Sequence, residues 1–295
     1  MIEFSKIKYH LARNQESNAK LEEFFKLKKD SLFNLTGIKK RFISNKYETT
    51  ENLAIKACKK IDKNNISKTT HVISVTNTPS IKFPGISNYV AGNFNLKNVH
   101  CINLNSGCTG YVDALILSHE IIKNNKNSNI LIVTSDTYSK FIKRDDRSIR
   151  PLFSDGASVT QLKFKKNGFK IIKKVTLNIP NTQEDLFFKK KYIKMNGPAL
   201  VSFVTKHVIP EIKKISKDVD KIYIHQAGKI VTKIIRSSMT NQKLIPTNYS
   251  KYGNLVSTSI PLLLQENIKS FSKDRKIVLC GFGVGLSMAL VKLAK

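Results

Sequence analysis

Cys108 is the first residue in this sequence whose type and position could do covalent chemistry. It lies between an apolar, strand-like run at residues 99–104 and an apolar helical run at residues 112–122. A helix N-terminus presents free N–H groups and a partial positive charge, so we expect the pKa of this thiol to fall below the usual value of about 8.5. Gly107 and Gly110 allow backbone and substrate to approach closely. This pattern is typical of a cysteine nucleophile, although an inert core thiol is the alternative.

Two later polar residues occupy similar positions at the ends of predicted elements. His225 ends a short apolar strand, and Asn254 follows Gly253 in a turn ahead of an apolar helical run. Taken singly, His225 could be a hydrogen-bonded core histidine and Asn254 a helix cap. Side chains at element ends can converge on one cleft, however, and Cys108, His225 and Asn254 together favour a catalytic site.

The bulk composition limits the classes of protein that need to be considered. The chain has 295 residues, of which 41% are hydrophobic, enough for one large domain or two similar ones. No apolar run reaches the roughly 18 residues of a membrane span, and the first residues lack the pattern of a signal peptide. The four cysteines, Cys58, Cys101, Cys108 and Cys280, show no paired spacing. We therefore expect no zinc site, no disulfide framework and a cytoplasmic location.

The formal net charge of +30 raises the question of nucleic-acid binding. The basic residues are mostly lysines dispersed along the chain, arginine is sparse, and no basic run is interleaved with aromatic residues. Base-edge readout and base stacking would require those features, so we do not expect nucleic-acid binding. A basic surface would instead attract an acidic protein partner.

Strand-like and helical patterns alternate along the chain, which predicts an α/β layer architecture. The predicted strands are residues 71–75, 99–104, 130–134, 158–164, 221–225, 276–280 and 286–292. The predicted helices include residues 53–61, 112–122, 200–215 and 260–268.

The two halves of the chain have similar patterns. Each has a helix after a candidate catalytic residue and then ends in two neighbouring strands. We therefore predict two similar halves, residues 1–166 with the cysteine and residues 167–295 with the histidine and asparagine. The glycine-rich run at residues 281–285 is too near the end to open a dinucleotide-binding unit. It predicts a tight turn, either a plain hairpin or one whose N–H groups point into the cleft.

At this point the sequence resembles the 3-oxoacyl-(acyl-carrier-protein) synthase III family, condensing enzymes of the thiolase fold. The resemblance runs nearly end to end. Its motifs are residues 35–41, the Cys108 segment, 153–157, 195–197, 225–227, 252–254 and 282–283. It implies a thiolase-like αβαβα layered architecture, acylation of Cys108, and action of His225 and Asn254 on the second substrate. The backbone N–H groups of Cys108 and Val284 would form the oxyanion hole, although the family usually has glycine where Val284 stands.

The resemblance also implies the remaining site residues, the substrates and the partners. Phe83 would reach across a homodimer interface into the partner's acyl pocket, and Arg147 and Phe153 would contact substrate. The substrates would be thioesters of acyl carrier protein or coenzyme A, with no bound cofactor. An acidic acyl carrier protein would be the partner that suits the basic surface.

Departures from the family pattern concentrate where coenzyme A would bind. Ser31 and Leu35 replace a Trp and an Arg of the family, and Gly228 and Ile230 stand where Asn and Arg are common. We therefore expect a decarboxylative condensing enzyme of a specialised lipid, secondary-metabolite or surface-glycan pathway, loaded from a carrier protein. One alternative is acyl transfer from Cys108 to an alcohol or amine. An alternative of another class is a non-catalytic subunit of a heteromeric synthase.

Overall fold

The computed structural model describes all 295 residues and contains two mixed β-sheets covered and separated by helices. The strands are β1 (Ile2–Leu11), β2 (Asn14–Ser17), β3 (Lys40–Ile43), β4 (His71–Val75), β5 (His100–Leu104), β6 (Asn129–Asp136), β7 (Gly156–Phe164), β8 (Lys170–Asn178), β9 (Leu186–Lys189), β10 (Tyr192–Met195), β11 (Lys221–Ile224), β12 (Lys276–Gly283) and β13 (Ser287–Ala294).

The helices are α1 (Asn18–Phe25), α2 (Ser31–Thr36), α3 (Thr50–Cys58), α4 (Lys63–Ile66), α5 (Ile86–Asn93), α6 (Gly110–Asn124), α7 (Gly197–Phe203), α8 (Ile209–Ile215), α9 (Lys229–Ser237), α10 (Tyr249–Tyr252), α11 (Ser259–Glu266) and α12 (Ile268–Phe271). Short 3₁₀ turns precede α6 and α11, and a π-helical turn, Val204–Val208, joins α7 to α8.

The two main sheets have corresponding strand orders. The first has the order β1-β7-β6-β4-β5 and the second has the order β8-β13-β12-β11. In each sheet, the first two strand pairings in this order are antiparallel and the third is parallel. Two short hairpins, β2–β3 and β9–β10, lie outside this pattern. The correspondence is what a repeated α/β unit produces.

Helices and sheets alternate in five layers, because each sheet buries apolar side chains on both faces. The inner faces enclose α6 and α11 in one core that includes Ile132, Leu115, Leu263 and Leu279. The helices α3 and α5 cover the outer face of the first sheet, and α8 and α9 cover the outer face of the second. The αβαβα architecture expected from the sequence is therefore confirmed.

All the strands and helices predicted from sequence are present, with shifted ends and one interruption. The predicted helix at 200–215 is divided by the π-helical turn. The longest element without a sequence prediction is β1, whose residues are mostly half-buried and whose apolar side chains are interrupted by lysines. The predicted boundary at 166/167 falls in the connection between β7 and β8. The division of the chain into two domains there stays a prediction. None of the helices is both long and apolar enough to cross a lipid bilayer.

Candidate active site

Cys108 lies in the 3₁₀ turn between β5 and α6, at the junction predicted from sequence. Its side chain is buried, with 5% of the residue exposed. The last residues of β12 pass directly over it, and a Cβ added at Gly283 would lie 2.9 Å from the Cys108 sulfur. Glycine is therefore required at this position, both for space and for its backbone φ of +154°.

The expected lowering of the Cys108 pKa is wrong. Burial raises the pKa of the thiol to about 12, because the thiolate loses its hydration, and the buried carboxylate of Asp136 adds to the rise. The backbone N–H groups of Val284 and of Cys108 itself point to the sulfur and partly oppose the effect. Cys108 also lies two residues before the start of α6, in a 3₁₀ turn rather than in the first turn of the helix.

His225 follows the last residue of β11, and its buried ring lies nearly perpendicular to the Phe282 ring, with the ring centroids 5.6 Å apart. Burial lowers the pKa of this imidazole to about 4, with the backbone of Val256 partly opposing the shift. The Nδ1 atom has no hydrogen-bond partner. His225 is consequently neutral near pH 7, where one ring nitrogen can donate a hydrogen bond and the other can accept one.

Asn254 is held by backbone contacts to the segment that carries Phe153. Its N–H donates to the carbonyl of Leu152 at 2.9 Å, and its carbonyl accepts from the N–H of Ser154 at 2.8 Å. The side-chain Oδ1 accepts the Val256 N–H at 2.9 Å. The free group of this amide is therefore its Nδ2 donor. The hydrogen bond expected of a helix cap is therefore present. It is accepted by Oδ1 and fixes the orientation of the amide, so it does not occupy the Nδ2 donor.

One cavity of about 810 Å³ brings these residues together. Cys108, His225, Asn254 and Phe153 all line it, with Phe282 and Gly283. Its remaining walls are mostly apolar and come from both halves of the chain: Leu35, Thr36, Ser148, Leu152, Leu186, Met195, Gly197, Pro198, Leu200, Val201, Ser202, Ala227, Gly228, Lys229, Ile230 and Val231. A cavity of this kind, with a buried thiol and two neutral polar groups, suits covalent acyl chemistry.

The comparison with known proteins agrees with this geometry. Profiles described as 3-oxoacyl-[acyl-carrier-protein (ACP)] synthase III and its C-terminal region match residues 102–178 and 213–294. The beta-ketoacyl-[acyl-carrier-protein] synthase III of Clostridium perfringens is 32% identical, over 95% of this chain and 96% of that protein. The chain belongs to this family of condensing acyltransferases.

Solved structures share the fold of this synthase. A 3-oxoacyl-(acyl-carrier-protein) synthase III superposes with a TM-score of 0.92 at 23% identity, covering 100% of this chain and 99% of that one. The beta-ketoacyl-[acyl-carrier-protein] synthase III of Thermus thermophilus superposes with a TM-score of 0.89 at 24% identity, covering 99% and 98%. The thiolase-like fold expected from the resemblance is thus confirmed.

The other predicted substrate contacts of this synthase lie outside the cavity. Arg147 is exposed and its guanidinium lies over the Phe25 ring, 5.7 Å from its centroid, while its neighbour Ser148 lines the cavity. Phe83 is 84% exposed in the single chain. Leu35 and Ile230, two of the departures from the family pattern, line the cavity and are half-exposed.

Sequence reasoning missed a buried polar group behind Cys108. Asp136 is fully buried at the end of β6 and accepts hydrogen bonds from the Ser257 hydroxyl at 2.7 Å and the Asn77 N–H at 2.9 Å, and also from Thr76 and Thr78. Burial raises the pKa of this carboxyl to about 6. The only signal in the sequence was an acidic residue ending an otherwise apolar strand. No group of three His, Cys, Asp or Glu side chains is arranged to hold a metal ion.

Proposed function

We propose that this synthase forms an acyl-Cys108 thioester and condenses it with a malonyl-type thioester, with loss of carbon dioxide. The observation that carries the proposal is the shared cavity, in which a buried thiol faces backbone N–H donors while a neutral imidazole and an oriented amide line the same walls.

In the first half-reaction, the Cys108 sulfur adds to the carbonyl carbon of an acyl thioester. The developing oxyanion accepts hydrogen bonds from the N–H groups of Cys108 and Val284, which already point to the sulfur. The bond to the carrier sulfur breaks, and the carrier thiol leaves with the proton that Cys108 loses. The high pKa of the thiol means that this proton departs as the new bond forms rather than beforehand.

In the second half-reaction, a malonyl-type thioester enters the same cavity and releases carbon dioxide. The resulting enolate oxygen accepts hydrogen bonds from His225 and from the Asn254 Nδ2, both of which are neutral donors in a site shielded from water. The enolate carbon attacks the acyl carbonyl, the C–S bond to Cys108 breaks, and the thiol is restored when it takes up a proton. The product is a 3-oxoacyl thioester.

The mouth of the cavity supports a carrier protein as the acyl donor. Leu35 and Ile230 present apolar side chains where the family resemblance leads one to expect groups that pair with phosphates. A phosphopantetheine arm lacks the adenosine that such groups would bind, and an acidic carrier can dock on a surface with a formal net charge of +30. A donor of this kind fits a specialised lipid, secondary-metabolite or surface-glycan pathway.

We also propose that the synthase is a homodimer. Strand β5 pairs only with β4, so its other edge is open, and exposed His100 and Asn103 lie along it. The loop that carries Phe83 is held in place, because the Glu51 carboxylate accepts the N–H groups of Ser80 and Ile81 at 2.9 and 3.3 Å. A fixed loop with an exposed aromatic tip suits insertion into a second subunit. Light scattering should give twice the chain mass at micromolar concentration, and a monomer would remove this role from Phe83.

Intact-protein mass spectrometry after mixing with acyl-carrier and acyl-coenzyme A thioesters tests the proposed function directly. We expect a mass gain of one acyl group, absent from Cys108→Ala and retained by Cys101→Ser, which alters a partly exposed thiol on β5. Acylation that persists in Cys108→Ala, or that disappears only in Cys101→Ser, would refute the assignment of the nucleophile.

A further inference from the structure

A second, smaller cavity lies beside Cys108 and differs in character from the large one. Its volume is about 250 Å³, and it shares Leu186 with the large cavity. Tyr138, Leu186 and Val284 line it and pack in the same cluster as Cys108. Cys108 lines the large cavity but not the smaller one, whereas Val284, whose N–H points to the Cys108 sulfur, lines the smaller one. An acyl chain on the sulfur would therefore pass Leu186 and Val284 to enter the smaller cavity, while the carrier arm occupies the larger.

The wall of this smaller cavity carries a connected set of neutral polar side chains. The Tyr138 hydroxyl donates to the Asn77 Oδ1 at 3.0 Å, and the Asn77 Nδ2 donates to the Asn105 Oδ1. Asn77 is anchored from behind, since its backbone N–H donates to Asp136. We call Asn77, Asn105 and Tyr138 the amide–tyrosine wall.

The amide–tyrosine wall lies directly against the backbone that presents the nucleophile. Gly107, the residue before Cys108, has a φ of +51°, and a Cβ added to it would overlap the Asn77 Oδ1. The same Cβ would lie 3.2 Å from a methyl group of Val284. The absence of a side chain at Gly107 is therefore what lets the Asn77 amide lie against the residue that precedes Cys108.

The wall retains hydrogen-bonding capacity after its internal bonds are counted. Asn77 donates only one of its two Nδ2 hydrogens, so the other is free. The Tyr138 hydroxyl donates one hydrogen bond and accepts none, so its oxygen can still act as an acceptor. No charged side chain lines the cavity, whose other residues are Gln183, Leu186, Phe187, Phe188, Ile193, Val284 and Gly285. A plain alkyl chain would cover these polar groups without bonding to them, and a carboxylate would lose its hydration without a countercharge.

We propose that the amide–tyrosine wall selects a short acyl group that bears a neutral hydrogen-bonding substituent, such as a hydroxyl, on a chain carbon close to the thioester carbonyl. This inference rests on the proposed acylation of Cys108 and names the class of acyl group that the site takes. Asn77, Asn105 and Tyr138 are then specificity-determining residues, and Gly107 is the residue that makes room for them.

The test compares butyryl, 2-hydroxybutyryl and 3-hydroxybutyryl thioesters on one carrier, which differ only in a hydroxyl. The specificity constant for loading should favour at least one hydroxylated chain by about tenfold, the discrimination that one neutral hydrogen bond can supply. Tyr138→Phe removes one hydroxyl and keeps the ring that stacks on Phe153, so the ratio should fall severalfold. Asn77→Ala should bring the ratio close to one. Tyr47→Phe, a matched change at a surface tyrosine, should leave the ratio unaltered.

Each outcome discriminates between the proposals. Loading of butyryl at a rate equal to or above both hydroxylated chains overturns the inference while leaving the acyl-Cys function standing. A preference that survives in both Tyr138→Phe and Asn77→Ala also overturns it, because the wall would not be its cause. If no thioester acylates Cys108, the proposed function fails and the inference fails with it.

Discussion

The inner end of the substrate cavity and its mouth are built in different ways. At the inner end, Cys108 and Asn254 are each 5% exposed and His225 is 2% exposed, and each contacts backbone groups of another segment. At the mouth, Leu35 is 53% exposed and Ile230 is 46% exposed. Buried groups held by backbone contacts can keep the distances that bond making requires. Exposed side chains can change without disturbing those distances, so under the proposed function the reaction would be set at the inner end and the choice of acyl donor at the mouth.

Polarity also differs between the two ends. The mouth is apolar at Leu35 and Ile230, whereas the amide–tyrosine wall is polar, with Tyr138 buried, Asn77 partly exposed and Asn105 exposed. Exposed apolar side chains are common on proteins, but a buried polar group such as the Tyr138 hydroxyl requires a partner. We therefore expect the inner end to distinguish between acyl groups and the mouth to distinguish between their carriers.

The largest effect should come from removing the two donors at the inner end. His225→Ala and Asn254→Ala should each lower the condensation rate about a hundredfold or more, as loss of one oxyanion donor does in other enzymes. Acyl loading should fall far less, because the N–H groups near the sulfur come from Cys108 and Val284. Single-turnover loading and product formation, measured separately, give the two rates. If His225→Ala loses loading as severely as condensation, a Cys–His pair is the better description of the inner end.

A change of intermediate size is expected at the mouth. Acyl-carrier thioesters should load Cys108 with a specificity constant at least about tenfold above matched acyl-coenzyme A, since a hydrogen bond to a charged phosphate contributes about 1.5–3 kcal/mol and Leu35 and Ile230 cannot donate one. The preference should shrink as salt screens the basic surface.

Leu35→Arg tests whether the mouth causes this preference. The added guanidinium should raise loading from coenzyme A severalfold, whereas Ile172→Arg, which adds the same charge to a half-exposed residue of β8, should not. Equal loading from both carriers at low salt in the unmodified synthase would mean that the mouth binds the nucleotide through other groups.

The smallest effect concerns the protonation of the nucleophile. Because burial raises the pKa of Cys108 to about 12, its thiolate fraction should increase about tenfold per pH unit and should not level off below about pH 9. Alkylation by iodoacetamide, followed by peptide-resolved mass spectrometry, measures this rate for Cys108 separately from half-exposed Cys101. A plateau near neutral pH would show that the helix N-terminus outweighs burial after all.

Sequence reasoning could place the candidate reacting groups at the ends of elements because those positions depend on local structure. Cys108 and His225 follow short apolar strands, and Asn254 follows a glycine turn, so their places at element ends could be predicted from patterns of a few residues. The glycine turn was likewise predicted, and the structure shows it as the hairpin between β12 and β13. Strand β1 was not predicted, because a β-bulge between Phe4 and Lys6 shifts its alternation of apolar residues by one position.

The sequence by itself thus determined the order of the elements, the layered α/β architecture and the placement of Cys108, His225 and Asn254 at the ends of those elements. Tertiary structure decided the sign of the Cys108 pKa shift and the meeting of Asn77, Asn105 and Tyr138 in one wall. The physical reason is that periodicity and turn chemistry act over a few neighbouring residues. Desolvation and hydrogen bonding instead depend on groups that are distant in the chain, such as Asp136 behind Cys108, and only packing brings these together.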